Sequence, residues 1–148
     1  HSPDENHQVN ATATLRLLSM ARDNGLERFV YVSSSEVYGT AQWVPMTEEH
    51  PTFPMTVYGS AKLAAECYAR AFYRTYGYPT VVVRPFNTYG PRMHPNDGRV
   101  ISTFIVEALE GLPITVFGDG SQTRSFCYVD DLVEGPDGSL WMAADGEL

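Results

Sequence analysis

With 148 residues, 43% of them hydrophobic, the chain is long enough for one domain with a core of its own. Its 18 acidic residues against 10 basic ones leave a formal charge of -8, which argues against a general nucleic-acid or anionic-membrane surface. Any phosphate must then be held by a few placed side chains. Cys67 and Cys127 show neither metal-ligand spacing nor a disulfide framework, and they read as small buried hydrophobes in a reducing compartment with no metal bound. No apolar run of about 18 residues occurs and the first residues lack a signal-peptide pattern, so a cytoplasmic protein is expected.

Asn6 to Asn24 carries apolar residues at Val9, Ala13, Leu17 and Ala21, widened by Leu15, Leu18 and Met20, which predicts an amphipathic helix ending at Gly25. Arg28 to Val32 is β-branched and aromatic and predicts a short buried strand. It runs into Ser33-Ser34-Ser35-Glu36 and then a long polar loop with Pro45, Pro51 and Pro54. Loops of that length are usually functional or disordered. Val57 to Tyr76 is an alanine-rich helix closed by Gly77, and Thr80 to Val83 is a second strand. Phe86 to Arg92 reads as a loop, Arg99 to Leu109 as a helix, Ile114 to Phe117 as a third strand and Ser125 to Val129 as a short extended segment. Asp130 to Glu134 reads as a capped helix cut off at Gly135-Pro136. Helix and strand alternate, so the fold class is α/β with a parallel sheet, whose ligands sit beyond the carboxyl ends of the strands.

Two stretches lie at such strand ends: the serine run after the first strand and Arg84-Pro85-Phe86-Asn87 after the second. Tyr58 and Lys62 are one helical turn apart, so their side chains share a face, and an ammonium beside a phenol favours the phenolate that a general base requires. At this spacing alone, a plain surface pair is the commoner explanation.

The order of the motifs changes that reading. Ser34-Ser35-Glu36-Val37-Tyr38-Gly39, Tyr58-x-x-x-Lys62, Phe86-Asn87-Thr88-Tyr89-Gly90-Pro91-Arg92, and Asp119-Gly120-Ser121-Gln122-Thr123-Arg124 before Tyr128-Val129-Asp130-Asp131 follow one another along the chain. In these motifs the chain resembles the extended short-chain dehydrogenase/reductases, specifically the NAD-dependent nucleotide-sugar epimerase/dehydratase family, from about Asn6 to Gly135. The resemblance implies a partial Rossmann-like, doubly wound parallel sheet over residues 1–86, part of a substrate-binding portion over 87–135, and an atypical tail over 136–148. It implies that Tyr58 takes a proton from a sugar hydroxyl while hydride passes to NAD, and that Lys62 supports the phenolate and binds the nicotinamide ribose. Ser34 would bond the same hydroxyl, although a strand-end serine can equally satisfy local backbone groups. Asn10 and Pro85 match positions beside the cofactor. Asn87 and Arg124 match positions that hold the diphosphate of the nucleotide sugar, and Arg99 is a further candidate for holding the nucleotide. For Asn10, Arg99 and Arg124, solvated surface residues are the plainer alternatives.

The family's reactions diverge after oxidation at the sugar C4. Its 4,6-dehydratases generally carry Thr-Asp-Glu where this chain has Ser34-Ser35-Glu36, so the acid of that pattern is missing and Glu36 remains as a candidate base. Ser-Glu-Val-Tyr-Gly, Tyr89 to Val100 and Ser121 to Val129 resemble UDP-glucuronate decarboxylases. Tyr58-Gly59-Ser60-Ala61-Lys62 and Met46 to Pro51 resemble 4-epimerases, whereas decarboxylases usually show Tyr-Asp-Glu-x-Lys. The resemblance therefore implies NDP-sugar 4-oxidation, with 4-epimerisation, an isomerase activity, placed ahead of decarboxylation. The family's glycine-rich phosphate loop is not among the 148 residues. Dinucleotide binding is accordingly expected to be weak or absent, and uncovered apolar faces are expected to favour a homo-oligomer. A catalytically inactive, self-associating fragment or binding module is the competing expectation.

Overall fold

The computed structural model describes residues 2–116, 118–121 and 124–133. Gln122 and Thr123 of the fourth motif, the end of the predicted third strand at Phe117, and the tail lie outside the described residues. The chain forms two compact units, one reaching to Phe86 and the other starting at Asn87.

The first unit begins with helix α1 (Pro3–His7), a π-helical turn (Gln8–Thr12) and helix α2 (Ala13–Asp23). Strand β1 (Phe29–Val32), a 3-10 turn (Ser35–Val37), helix α3 (Val57–Tyr76) and strand β2 (Thr80–Val83) follow. β1 and β2 pair in parallel with Phe29 opposite Thr80 and Val32 opposite Val83, so both strands deliver their carboxyl ends to the same edge. This is a βαβ unit in which α3 makes the crossover. Leu18 and Ala21 of α2 meet Ala69 and Phe72 of α3 and Tyr78, with Leu15, Phe29, Tyr68 and Val82 around them. Small alanines on α3 let the helix lie close to its neighbours, and Gly77 ends it in the left-handed conformation at φ 64°. Alternation along β1 buries Tyr31 and leaves Val30 and Val32 exposed, so the helices cover one face of this pair.

The second unit holds strand β3 (Asn87–Tyr89), helix α4 (Val100–Leu109), strand β4 (Phe126–Tyr128) and helix α5 (Val129–Val133). β3 and β4 are parallel partners, with Asn87 opposite Phe126 and Tyr89 opposite Tyr128. Two expectations are corrected. Residues 87–89 form a strand rather than a loop, and Ile114 to Val116 form no strand. The physical reason is partnership. A three-residue segment counts as a strand only when another backbone ladders with it, and 126–128 does so for 87–89. Thr115 is held by a side chain instead: its N–H and hydroxyl donate to the Glu107 carboxylate at 2.8 and 2.6 Å.

Candidate active site

β1 ends at Val32, and the next residues turn across the edge of the sheet. Ser33 N–H donates to Val83 O at 2.7 Å and Ser35 N–H to Pro85 O at 3.1 Å, which carries the pairing of the strands past their formal ends. Ser34 caps the 3-10 turn, its Oγ accepting the Glu36 N–H at 3.2 Å. That bond occupies a lone pair of the serine and leaves the hydroxyl hydrogen as a donor. The local role anticipated for a strand-end serine is therefore present in Ser34.

α3 is fastened to this turn at its first residues. Thr56 is the N-cap, accepting Gly59 N–H at 3.0 Å, and its hydroxyl reaches Glu36 Oε2 at 3.5 Å. A Cβ on Gly59 would stand 2.7 Å from Glu36 O and 3.0 Å from Pro54 Cβ, so only glycine permits the approach. Tyr58 lies one residue before this contact and is 38% exposed. Lys62 follows one turn later, donates from Nζ to Val32 O at 3.0 Å, and places its ammonium 5.7 Å from the Tyr58 ring centroid and 5.2 Å from that of Tyr31. Burial pushes the Lys62 ammonium below the ordinary lysine value. Tyr31 is pushed up to about 12 by burial, with Glu66 and Tyr58 adding to the effect.

Behind the pair lies a charged cluster not anticipated from the sequence. Glu66, fully buried on α3, accepts from Arg84 Nε at 2.9 Å and Nη2 at 2.7 Å, and from Arg70 at 2.7 Å. Burial opposes the Arg84 charge, but Glu66 and Tyr38 outweigh it and raise the guanidinium above its ordinary value. Arg84 also donates to Glu48 O at 3.4 Å and lies 4.7 Å from the ring centroid of the buried Tyr38. Tyr38 stacks on Phe86 and meets His50 edge-on. His50 accepts from Gln42 N–H at 3.0 Å, so its Nδ1–H donates to Pro51 O at 2.9 Å. Gly39, at φ 70°, brings the chain so near Phe53 O that a Cβ would stand 2.0 Å away. The long loop after the serine run is thus closed on itself and anchored to Arg84. The signal in the sequence was a carboxylate at position 66, one turn beyond Lys62 and one turn before Arg70 on the same helix; nothing local named Arg84 as its second partner.

Ser34, Glu36, Tyr58, Lys62 and Pro85 come together at the carboxyl edge of β1 and β2. Asn10 lies in the π-helical turn, its amide donating to Asn6 O at 3.0 Å and Asn6 Oδ1 at 3.2 Å. Asn87, Arg99 and Arg124 belong to the second unit. Asn87 Nδ2 donates to Ser125 O at 2.9 Å, bridging β3 to the segment before β4. Arg99 is the N-cap residue of α4, and its Nε donates to Asp97 at 2.6 Å. The Asp97 carboxyl is lowered to about 2, first by the Ser102 hydroxyl and then by the Arg99 backbone. Arg124 is exposed. Among the described residues no group of three or more His, Cys, Asp or Glu could hold a metal, and no helix is long and apolar enough to cross a membrane.

The βαβ unit thus carries a tyrosine and a lysine one turn apart at the start of its crossover helix, the lysine bonded to the carboxyl end of the preceding strand. The profile of the NAD dependent epimerase/dehydratase family matches residues 1–145, and the chain belongs to that family. It is 43% identical over 140 residues to UDP-glucuronic acid decarboxylase 1 of Xenopus tropicalis, covering 91% of this chain and 33% of that protein. Among solved structures, it resembles the UDP-N-acetylglucosamine 4-epimerase of Methanobrevibacter ruminantium at TM-score 0.80 and 35% identity, covering 84% of this chain and 41% of the other. It also resembles the UDP-glucuronic acid 4-epimerase of Bacillus cereus in complex with UDP-glucuronic acid and NAD, at TM-score 0.74 and 35% identity, over 82% and 38% of the two chains. The chain thus spans about a third of the length of the curated relative.

The residues present suit one half of a dinucleotide. Tyr58 is accessible, and Lys62 spends one of three N–H donors on Val32 O, leaving others for a ribose hydroxyl. No glycine-rich loop that would cradle the pyrophosphate occurs in the 148 residues.

Proposed function

We propose that the chain is the catalytic portion of an enzyme that transiently oxidises a nucleotide sugar at C4 with NAD, and that the outcome is 4-epimerisation. The observation that supports the chemistry is the Lys62 ammonium bonded to Val32 O at the end of β1 and 5.7 Å from the Tyr58 ring, with Ser34 two residues beyond Val32. NAD, when bound, supplies the hydride acceptor and later the hydride donor. Tyr58 would take the proton of the C4 hydroxyl on its phenolic oxygen and give it back to the sugar oxygen when the epimeric alcohol forms. Lys62, its ammonium 5.7 Å from the Tyr58 ring, would bind the ribose through its remaining N–H groups. Ser34 steadies the sugar oxygen with its hydroxyl hydrogen. By resemblance, Asn10 and Pro85 would lie beside the cofactor, and Asn87, Arg99 and Arg124 would hold the nucleotide and its diphosphate.

Epimerisation rather than decarboxylation is favoured by Gly59. The decarboxylase pattern places an aspartate after the tyrosine, and here any Cβ at that position meets Glu36 O at 2.7 Å. Decarboxylation is the second reading, because the curated relative cited above is named for it. UDP-glucuronate separates the two. With NAD present, 4-epimerisation yields UDP-galacturonate, and decarboxylation yields a UDP-pentose and carbon dioxide. Tyr58→Phe should lower kcat by about 100-fold or more. Full retention of activity in that variant would remove Tyr58 from the base role. No NAD binding and no turnover at saturating cofactor would leave the chain as the inactive, self-associating fragment, and a one-chain mass in solution would remove self-association as well.

A further inference from the structure

Lys62 is the only lysine in the chain, and its natural helical partner is Glu66, one turn further along α3. The structure shows a different arrangement. Both Glu66 oxygens are engaged, Oε1 by Arg84 Nε and Oε2 by Arg84 Nη2 and Arg70, while Lys62 points away to Val32 O at the end of β1. We propose that Arg84 is a positioning residue: its two-pronged hold on Glu66 keeps that carboxylate from capturing Lys62, so the ammonium stays beside Tyr58 at the strand edge. This rests on the reading of Tyr58 and Lys62 as the catalytic pair.

The placement of Arg84 suits the task. It sits directly after β2, the strand that pairs with β1, and its side chain is 8% exposed against 0% for that of Glu66. A planar fork meets a carboxylate through two parallel bonds, which fixes orientation as well as charge. Arg70 alone would not serve: it binds one oxygen, and its side chain is half exposed. The Tyr38 ring under the guanidinium and the Glu48 carbonyl beside it hold Arg84 from the other side, so the clamp also carries the turn containing Ser34 and Glu36. Tyr58 and Glu66 on its own helix, Tyr31 on β1 and Glu36 in the turn after β1 are the charged and titratable groups on the elements packed around Lys62. Of the two carboxylates, Glu66 stands one turn from Lys62 on the same helix, the spacing at which a carboxylate draws an ammonium.

A single lysine makes the test direct. In the 148-residue chain grown with lysine carrying carbon-13 at Cε, Lys62 gives one side-chain signal whose pH titration reports its surroundings. Arg84→Gln frees the carboxylate, and the Lys62 midpoint should rise by about one pH unit as Glu66 pairs with it. Glu66→Gln/Arg84→Gln removes the competitor as well and should return the midpoint to that of the unmodified chain. Leu18→Ala weakens the core without touching the clamp and should leave the midpoint unmoved. An unchanged midpoint in folded Arg84→Gln, an equal rise in Leu18→Ala, or no return in the double variant overturns the proposal. Should Arg84→Gln fail to fold while the double variant folds with the original midpoint, the unpaired carboxylate is at fault and the proposal stands; a double variant that also fails to fold overturns it. The readout requires neither NAD nor sugar, so a chain that binds no cofactor yet shows this pattern loses the proposed function and keeps the clamp.

Discussion

In the first unit, the residues at the strand edge are held by groups from segments far apart in the sequence. Lys62 is fixed by Val32, Glu36 is approached by Thr56 and Gly59, and Arg84 gathers Glu66, Tyr38 and Glu48. In the second unit, the residues matched to diphosphate and nucleotide binding lie at the surface. Arg99 is tied to Asp97 two residues before it, and Asn87 spans one strand pairing. The buried Glu66–Arg84 pair cannot lose a member without leaving a buried charge short of a partner, and Gly59 cannot gain a side chain without a contact too short, whereas an exposed polar group can exchange its partner for water. The first unit should therefore register substitution as lost stability, and the second chiefly as lost ligand affinity.

The largest effect is expected for Arg84→Gln. Removing one partner of a buried ion pair costs about 3 kcal/mol or more, and urea unfolding followed by circular dichroism would detect it; a loss below about 1 kcal/mol would place the pair with ordinary surface bridges. Gly59→Ala should cost about 2 kcal/mol, because the new methyl group meets a backbone oxygen rather than a flexible side chain. Unchanged stability there would mean that α3 shifts freely against the turn.

Tyr31 tests the same region through pH. Its folded pKa, raised to about 12, lies above the unfolded value of about 10. The stability that Tyr31 contributes is fully present below pH ~10 and is lost as pH rises toward about 12. Across that interval the unmodified chain should lose about 2 kcal/mol relative to Tyr31→Phe, whose own curve lacks this contribution. Parallel curves for the two proteins would show that Tyr31 ionises as readily folded as unfolded. Thr56→Ala removes the α3 cap and should cost about 1 kcal/mol by the same urea measurement. The smallest effect, within about 0.5 kcal/mol, is expected for Asn87→Ala in the second unit. A larger loss there would break the comparison, since the Asn87 to Ser125 bridge would then be structural in its own right.

Helix α3 and strand β2 were legible to the residue, because alanine-rich periodicity, a closing glycine and a β-branched run each act within a few positions. The first strand was placed with a small difference at its start, while the single helix expected from Asn6 to Asn24 begins at Pro3 and is interrupted by the π-helical turn at Gln8–Thr12, which no periodicity in the sequence announced. Strand β3 was not legible, and residues 114–116 misled, since the membership of a short extended segment in a sheet depends on a distant partner. The Tyr58 and Lys62 pair could be read from motif order. The Glu66 and Arg84 clamp could not, because its members stand 18 positions apart on different elements.

What the sequence determined alone is the set of local commitments: which segments coil or extend, where glycines end them, and that a tyrosine and a lysine share one helical face. Which carbonyl receives Lys62, which cation satisfies the buried Glu66, and which backbone crowds Gly59 were decided only by the tertiary structure. Those contacts join residues 18 to 30 positions apart, and such pairings arise only when parallel strands and their crossover helix pack together.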